Sequence, residues 1–383
     1  MSKRNLSRQQ RWRVEKVQTE RAKRAEKHDN RDSEKLAAGE YGPEQPGRVV
    51  AHFGRSLNVA PEGRVENGED SEDGETVRCH LRANLEGLVT GDRVIWRAAH
   101  DADGQTVDGV VVARGERDSV LERPDARGQL KAVAANIDQI LIVFAVEPAP
   151  HANLIDRYLV AAEATGIAPV LVLNKIDLLP EGGGNIRDLL GSYEALGYAV
   201  VTSTTAREDG LTALRERLGG RTSVFVGQSG VGKSSLIDRL LPDEELRIGA
   251  LSKDSRKGTH TTTTARLYRL PGTDAGERAV EGHASDDLAA KDLADSGQLI
   301  DSPGIREFGL VHLDEQQVAE GFIEFHEWLG QCHFRDCRHR HEPGCALLGA
   351  VERGEIHPER FASYRRIVDS LNDPATSTPA KLR

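Results

Sequence analysis

Apolar and polar residues alternate along the first third of the chain. Between residues 47 and about 113, short segments keep a two-residue period, as in Val49, Ala51 and Phe53 and again in Val77, Cys79 and Leu81. Such alternation, interrupted by turns rich in Gly and Asp, predicts half-buried strands. We therefore expect a small antiparallel barrel or sandwich, and either a five-stranded oligonucleotide-binding (OB) barrel or an SH3-like barrel fits the count.

From Ile137 the pattern changes to unbroken apolar runs. Residues 139–144 and 169–173 form two such runs, and the sequence from 153 to 164 between them has helical character. Strands that are buried on both faces and joined by helices predict a parallel sheet. A further strand at 223–226 and a helix at 233–241 continue the alternation, so this part is expected to be an α/β domain.

Less regular segments flank and interrupt these units. We expect a linker over 34–46, an exposed loop over the Gly-, Asp- and Ala-rich stretch 272–297, helices from Asp314 onward and a disordered tail after Asn372. None of the apolar runs reaches the roughly 18 residues that a membrane span requires. The charged start Met1-Ser2-Lys3-Arg4 is unlike a secretory leader, so a cytoplasmic protein without a membrane partner is expected.

Charge is unevenly distributed. The 383 residues carry a formal net charge of −10, yet residues 1 to 31 contain eleven Lys or Arg against four acids. A segment with so few apolar residues cannot bury a core. It is interpreted either as a solvated tail or as an arm that binds nucleic acid.

A complete Walker A motif follows the strand at 223–226 and opens the next helix. It is formed by Gly227, Gln228, Ser229, Gly230, Val231, Gly232, Lys233 and Ser234. This strand-loop-helix context is typical of a true phosphate loop, in which backbone N–H groups face the phosphates. Lys233 would neutralise the β- and γ-phosphate oxygens, and the Ser234 hydroxyl would bind Mg²⁺.

A guanine-reading motif ends the strand at 169–173, where Asn174, Lys175 and Asp177 occupy the positions of an N-K-x-D sequence. The Asp177 carboxylate can accept the N1 proton and the exocyclic amino protons of guanine, whereas adenine offers no such donor pair. Asn174 is expected beside the base, with the Lys175 stem along its face. Ser203 and Thr204 follow the next apolar strand, where a backbone contact to the base is expected.

Three later features complete the expected nucleotide site. Asp301 ends a short strand and would hold Mg²⁺ through water, and the Gly304 amide would contact the γ-phosphate. The threonine-rich run 258–264 corresponds to a mobile switch, and one of its hydroxyls would complete the Mg²⁺ shell, although spacing alone does not select which. Ile305 stands where Ras-type GTPases use Gln to orient water, so hydrolysis should depend on another group, with His260 as the best candidate in the chain.

The order of these motifs is unusual. The guanine-reading motif precedes the phosphate loop, whereas in an ordinary GTPase the phosphate loop comes first. The same parts in rotated order predict a circularly permuted GTPase domain, in which the nucleotide-sensing segment leads directly into the C-terminal region.

Three of the four cysteines lie close together near the C-terminus. Cys332, Cys337, His339 and Cys345 have the spacing C-x4-C-x-H-x5-C. Three thiolates and one imidazole predict a closed, structural tetrahedral zinc site. His333 and His341 remain alternative ligands on spacing alone.

Taken together, these motifs resemble a family of bacterial circularly permuted GTPases, the ribosome small-subunit-dependent GTPase A family. The resemblance covers nearly the whole chain. It includes Thr90-Gly91-Asp92-Arg93-Val94, Asn174 to Asp177, Gly227 to Ser235, Gly258 to Thr263, Asp301 to Gly304 and Cys332 to Cys345.

The resemblance implies a multidomain fold: a basic arm and linker over 1–40, an RNA-binding OB barrel over 41–123, a permuted P-loop GTPase domain over 124–313, and a small helical zinc-binding domain with a tail over 314–383. It also implies a catalytic role for His260, nucleotide sensing and Mg²⁺ binding by Thr262, and a nucleotide contact from Ser235.

The partners implied are the 30S ribosomal subunit and its 16S rRNA, with GTP hydrolysed to GDP in late subunit maturation and hydrolysis stimulated by the subunit. The implied cofactors are one structural zinc ion and Mg²⁺ bound with GTP, and nothing in the sequence requires more than a monomer. Two alternatives remain: a GTP-dependent switch that acts on a protein partner, and an RNA-binding scaffold with little turnover.

Overall fold

The structure is a computed structural model that describes residues 41–53, 56–62, 76–82, 85, 87–100, 105–125, 129–241, 265–270, 296–301 and 313–371. Two units follow one another along the chain, the first ending at Glu116 and the second beginning at Arg117.

The first unit contains a five-stranded barrel. Its strands are β1 (Tyr41–Phe53), β2 (Ser56–Pro61), β3 (Val77–Leu81), β4 (Arg93–His100) and β5 (Thr106–Arg114). They are hydrogen-bonded in the order β1-β2-β3-β5-β4, and β4 also pairs with β1, which closes the barrel. Only β3 and β5 run parallel among these pairs. This closed five-stranded arrangement is OB-like, which decides between the two barrels that the alternating pattern allowed.

Trp96 fills the centre of the barrel and is 1% exposed. Two glycines make room for it, because a Cβ atom on Gly47 would lie 2.7 Å from the indole and one on Gly109 would lie 2.8 Å from it. The indole Nε1 donates a hydrogen bond to the Pro46 carbonyl at 3.3 Å. The fully buried Val49 and Cys79 confirm the alternation predicted for their strands.

The second unit is built on a six-stranded sheet. A hairpin of β6 (Val120–Pro124) and β7 (Leu130–Ala135) precedes the sheet, whose strands are β8 (Gln139–Ala145), β9 (Ala168–Asn174), β10 (Ala199–Thr202), β11 (Thr222–Val226), β12 (Arg266–Arg269) and β13 (Gln298–Asp301). Their order is β10-β9-β8-β11-β13-β12, and every neighbouring pair is parallel except β12 with β13.

Helices cover both faces of this sheet. The helices of the second unit are α1 (Ala152–Glu163), α2 (Gly184–Ala195), α3 (Thr212–Leu218), α4 (Lys233–Leu240), α5 (Glu315–Glu320), α6 (Ala346–Glu352) and α7 (Pro358–Leu371), with 3-10 turns at Ile176–Leu178 and Ile323–Phe325. Ile140 and Ile142 pack in one core and Leu141 and Val143 in the other. Because alternate residues of β8 enter different cores, the whole strand is apolar, as its unbroken run predicted.

The strand order places a crevice between β8 and β11. From β8 the chain proceeds to β9 and then β10 on one side, and it then crosses to β11 on the other side of β8. In open α/β sheets, ligands bind at the carboxyl ends of strands where the order reverses in this way. The phosphate loop follows β11, so the motifs separated in sequence meet at this crevice.

The C-terminal helices enclose a separate aromatic core. Phe322, Phe325 and Tyr364 are each no more than 2% exposed, and Val160 and Ala161 of α1 pack into the same cluster. The helix α1 therefore packs both against the sheet and against the C-terminal module (residues 313–371). Among the residues that the structure describes, none of the helices is long and apolar enough to cross a membrane.

Candidate nucleotide and metal sites

Glycine conformation shapes the phosphate loop. Gly230 and Gly232 have φ values of 85° and 95°, in the left-handed region that favours glycine. Gly232 is the N-cap residue of α4, so the amino end of that helix points into the crevice. A Cβ atom on Gly227 would lie 2.2 Å from the Val143 carbonyl oxygen, which shows how closely the loop approaches β8. The loop can therefore present backbone N–H groups to an anion.

Lys233 lies inside the loop rather than in solvent. Its Nζ donates hydrogen bonds of 2.6 Å to the carbonyls of Gly227 and Gln228, and the residue is 9% exposed. Ser229, Ser234 and Ser235 are exposed. The ammonium group is thus enclosed by the loop, whereas the hydroxyl expected for Mg²⁺ belongs to an exposed residue.

Asn174 joins the three segments that border the base site. Its Nδ2 donates to the Val231 carbonyl at 2.9 Å, its Oδ1 accepts a hydrogen bond from the Ser203 hydroxyl at 3.1 Å, and the residue is 2% exposed. These contacts hold β9 to the phosphate loop and to the end of β10. The direct contact to a base predicted for Asn174 stays a prediction.

Lys175 connects the base site to two neighbouring loops. Its backbone has a φ of 59°, and its Nζ donates to the carbonyls of Glu147 at 2.7 Å and Gly230 at 2.8 Å. These bonds hold the Lys175 side chain between the two loops, and the predicted position of its stem along the face of a base stays a prediction. Glu147 had not been singled out in the sequence, because its contribution is a backbone carbonyl that any residue could supply.

Asp177 is exposed at the start of the 3-10 turn and accepts a hydrogen bond from the Thr204 hydroxyl. Thr204 is fully buried, and its Oγ1 also accepts the Ala206 backbone N–H at 3.1 Å. The sequence predicted a backbone contact to the base at this position. The structure shows in addition that the Thr204 side chain orients the carboxylate that would read guanine.

Asp301 ends β13 next to the strand that leads into the phosphate loop, since Val224 of β11 pairs with Ile300. Asp301 therefore ends its strand at the same edge of the sheet as the strand that leads into the phosphate loop, and the magnesium ion predicted for Asp301 and Ser234 stays a prediction. His260, Thr262, Gly304 and Ile305 lie outside the described residues. Their predicted roles stay predictions.

The four predicted metal ligands come together. The donor atoms of Cys332, Cys337, His339 and Cys345 all lie within 4.8 Å of one another. The Nδ1 atom of His339 is 3.5 Å from Cys332 Sγ and 3.4 Å from Cys345 Sγ, and these two sulfurs are 3.9 Å apart. Neither His333 nor His341 belongs to this group, which decides between the ligand sets left open by spacing. The cluster can hold a metal ion, and three sulfurs with one imidazole nitrogen are a donor set that suits zinc.

Burial also affects the protonation of these ligands. It raises the pKa of Cys337 to about 12 and lowers the pKa of His339 below its usual value. The imidazole is therefore neutral at pH 7, as a ligand must be, whereas the thiol retains its proton until an ion displaces it. Metal binding at this cluster should release protons.

Comparisons with known proteins agree with this geometry. A family model for RsgA GTPase matches residues 114–275. The small ribosomal subunit biogenesis GTPase RsgA of Chromohalobacter salexigens is 67% identical over 371 residues, covering 97% of this chain and 99% of the relative. The protein of the same name from Ectopseudomonas mendocina is 54% identical over 97% of this chain and 98% of its own.

Two solved structures share the fold. YjeQ from Thermotoga maritima has a TM-score of 0.61 and 28% identity, covering 86% of this chain and 99% of the other. YloQ, described as a circularly permuted GTPase, has a TM-score of 0.60 and 25% identity, covering 88% of this chain and 98% of the other. The guanine-reading motif and the phosphate loop of this chain occur in permuted order and meet at one crevice. Together with the close relatives, these features show that this chain belongs to the RsgA GTPase family.

Proposed function

We propose that this chain binds the 30S ribosomal subunit late in its maturation and hydrolyses GTP to GDP and phosphate, with the subunit stimulating the reaction. The names of its relatives support the choice of partner. The observation that carries the proposal is the crevice itself, where Lys175 of the guanine-reading motif bonds directly to Gly230 of the phosphate loop.

In the proposed complex, the phosphate loop from Gly227 to Ser235 surrounds the phosphates. Lys233 turns from the loop carbonyls that it now contacts toward the β- and γ-phosphate oxygens. Ser234 and Asp301 would hold Mg²⁺, and the ion would neutralise charge on the phosphates. Asp177, oriented by Thr204, reads the N1 and amino protons of guanine and so excludes ATP.

Catalysis is assigned to the switch residues. His260 positions or polarises the attacking water, since the hydrocarbon side chain of Ile305 cannot do so, and Thr262 completes the Mg²⁺ shell and senses the γ-phosphate. The amide of Gly304 contacts the same phosphate. A partner that holds His260 and Thr262 in position for the reaction would accelerate hydrolysis, which is why stimulation by the subunit is expected.

The remaining parts serve assembly. One structural zinc ion held by the Cys332–Cys345 cluster stabilises the C-terminal module, and the basic arm with the OB-like barrel contacts 16S rRNA. The protein acts as a cytoplasmic monomer with no membrane partner.

The decisive experiment measures GTP hydrolysis with and without purified 30S subunits. We expect stimulation by subunits and not by free 16S rRNA, no hydrolysis of ATP, and loss of activity in Lys233→Ala. Equal rates with and without subunits would favour a switch that acts on another protein. Full function of Lys233→Ala in subunit maturation would favour a nonenzymatic RNA-binding scaffold.

A further inference from the structure

One aromatic side chain of the C-terminal module faces solvent. Phe322, Phe325, Phe361 and Tyr364 pack against one another in the module core, with ring centroids 4.9–6.2 Å apart. Phe334 is instead 43% exposed. An exposed phenylalanine contributes little to the module's own packing, so its position calls for another explanation.

The loop that carries Phe334 is closely fixed. It lies between two residues of the metal cluster, Cys332 and Cys337, and the Phe334 carbonyl accepts the Cys337 N–H at 3.3 Å. The His333 N–H donates to the Gly344 carbonyl at 3.0 Å, and the His333 ring meets the Phe334 ring edge-on at 4.7 Å. Because the loop is already ordered, the ring would lose little conformational entropy on contacting a partner.

Exposed arginines lie close to Phe334 in the sequence. Arg335 and Arg338 are exposed, and within the described part of the chain neither forms an ion pair with a carboxylate. Arg340 is paired with Asp369 at 2.7 Å, and the nearby Glu342 carboxylate faces backbone N–H groups. Arg335 and Arg338 are therefore two exposed cations in the residues that follow Phe334, with Asp336 as the one acid between Cys332 and Cys337.

We propose that Phe334, Arg335 and Arg338 form a binding surface, here called the aromatic tip, for single-stranded RNA. The Phe334 ring would stack on an unpaired base and the two arginines would bind the flanking phosphates. A flat apolar face next to unpaired cations matches a nucleotide, whereas a single exposed ring without an apolar surround is a poor match for a protein hot spot. The inference rests on the proposed function and deepens it, because it adds a surface of the C-terminal module to the arm and barrel that are proposed to contact RNA.

Two substitutions separate stacking from general apolar contact. Phe334→Leu keeps an apolar side chain without a π-face, and Phe334→Trp keeps the π-face. We expect the full-length Leu variant to bind a labelled 12-nucleotide single-stranded RNA about tenfold more weakly than the unaltered chain. The Trp variant should bind it as well as the unaltered chain, and binding of the corresponding RNA duplex should change in neither variant.

Controls keep the result interpretable. Leu130, which is 45% exposed on β7, provides a matched control, because Leu130→Ala removes a comparably exposed apolar side chain away from the aromatic tip. Equal metal content and circular dichroism of all variants show that the module is folded. Cross-linking to 4-thiouridine RNA should identify Phe334 or a neighbouring residue in the unaltered chain.

Unchanged affinity of Phe334→Leu for single-stranded RNA would overturn the proposal, as would an equal loss in the Leu and Trp variants. If Phe334→Leu lost 30S binding but kept RNA binding, the tip would contact a ribosomal protein and the RNA proposal would also be overturned. Binding of the unaltered chain to 30S subunits is measured in parallel. If the unaltered chain did not bind 30S subunits, the proposed function would be refuted, whereas the affinities of the variants for single-stranded RNA would still test the aromatic tip.

Discussion

Because Gly232 has no side chain, the phosphate loop can pack closely against the guanine-reading strand. A Cβ atom there would lie 2.4 Å from Nδ2 of Asn174, the atom that bonds to the Val231 carbonyl. The residue also has a φ of 95°, which disfavours any side chain. We predict that Gly232→Ala weakens GTP binding at least about tenfold. The added methyl group must either break the hydrogen bond from Asn174 to the Val231 carbonyl or displace the phosphate loop.

Gly197→Ala is the matched control for this prediction. Gly197 has the same φ of 95°, but nothing lies within 4 Å of its added Cβ atom. It should lower the free energy of unfolding through backbone strain and leave GTP affinity unchanged. Titration calorimetry measures the GTP affinity of both variants. Equal affinities would show that the close approach of Gly232 to Asn174 is not required for GTP binding.

His260 offers a second test at this scale. If its imidazole positions the attacking water, His260→Ala should reduce the subunit-stimulated hydrolysis rate by about 10²–10⁴-fold, the usual range for a positioned acid-base group, with little effect on GTP affinity. Single-turnover hydrolysis with saturating 30S subunits makes the measurement. A stimulated rate equal to that of the unaltered chain would remove His260 from the mechanism.

At the scale of elements, a buried ionic network joins the sheet to the C-terminal module. Arg360 of α7 contacts Asp156 of α1 and forms two hydrogen bonds to Glu324, of 2.6 and 3.1 Å. Tyr193 of α2 donates to Asp156 at 2.6 Å, and the Arg360 guanidinium lies 4.6 Å from the Phe322 ring centroid. Burial raises the pKa of Asp156, and the Arg360 charge opposes that rise.

Removing one member of this network should be costly. Arg360→Ala would leave two buried carboxylates without their cation, since the side chains of Arg360, Asp156 and Glu324 are only 8%, 1% and 8% exposed. We predict a loss of about 3–5 kcal/mol in the free energy of unfolding of the C-terminal module. Hydrogen-exchange measurements check this prediction, because the backbone amides of α7 and α1 should lose protection when the module is destabilised.

Arg366→Ala is the control on the same helix. Arg366 lies 3.6 Å from Glu359, and the two side chains are 56% and 76% exposed. A solvent-exposed pair of this kind contributes at most about 1 kcal/mol, so protection in α7 should hardly change. Equal effects of the two substitutions would show that the buried network does not stabilise the module.

The turn that carries two metal ligands depends on Glu342. Its carboxylate accepts the backbone N–H groups of Arg338 at 3.1 Å, Arg340 at 2.7 Å and His341 at 3.0 Å. Backbone hydrogen bonds, including those from its own N–H and from Arg340, lower the pKa of Glu342 to about 2. The carboxylate is thus charged at all pH values at which the module is expected to function.

We predict that Glu342→Gln weakens zinc retention about tenfold, because the amide presents donors to backbone N–H groups and disturbs the positions of Cys337 and His339. A chelator titration followed with a metallochromic dye checks this at pH 7. Glu355→Gln, which alters an exposed pair with Arg353 at 2.7 Å, is the control. Identical chelator midpoints for the two variants would contradict the assignment.

The pH dependence of this contribution follows from the direction of the shift. Because the pKa of Glu342 falls on folding from an ordinary 4.5 to about 2, its stabilisation is complete above pH 4.5 and is lost as the pH falls toward 2. Protonation of the cysteine ligands opposes metal binding in the same direction.

Elements with a strong local pattern were predictable. The helix expected at 153–164 is observed at Ala152–Glu163, and the strand expected at 139–144 is observed at Gln139–Ala145. Both depend on apolar spacing within one segment. The parallel pairing of β3 with β5 was not predictable, because the register of distant strands depends on contacts that a local pattern does not encode.

The same limit applies to the site. The phosphate loop, the guanine-reading motif and the metal ligands have characteristic spacings, so the sequence predicted all three, and the structure brings the four metal ligands together. The hydrogen bond between Asn174 and Val231 joins residues 57 positions apart, and the contact between Arg360 and Asp156 joins residues 204 positions apart. Neither pair produces a local sequence pattern that could have predicted it. The side-chain role of Thr204 was missed because it depends on which way a buried hydroxyl points.

For the whole molecule, charge distribution should govern association with the subunit. The chain has a net charge of −10, but its first 31 residues hold eleven basic and four acidic side chains. We predict that 30S affinity falls steeply with salt and that deleting residues 1–31 makes the dependence shallower, because fewer counterions are released. Affinities measured between 50 and 200 mM salt check this, and unchanged slopes would show that the arm does not contact RNA.

The rotated motif order also bears on biosynthesis. A nascent chain that has emerged only as far as β10 already contains the guanine-reading motif, but β11 and its phosphate loop are still to be translated, although β11 must pair directly with β8. Domains generally fold as units during translation, so the permuted GTPase domain is incomplete until β11 and the strands after it have been made. A truncated product that ends before β11 therefore contains the guanine-reading motif but lacks both the strand that pairs with β8 and the loop that would hold a triphosphate.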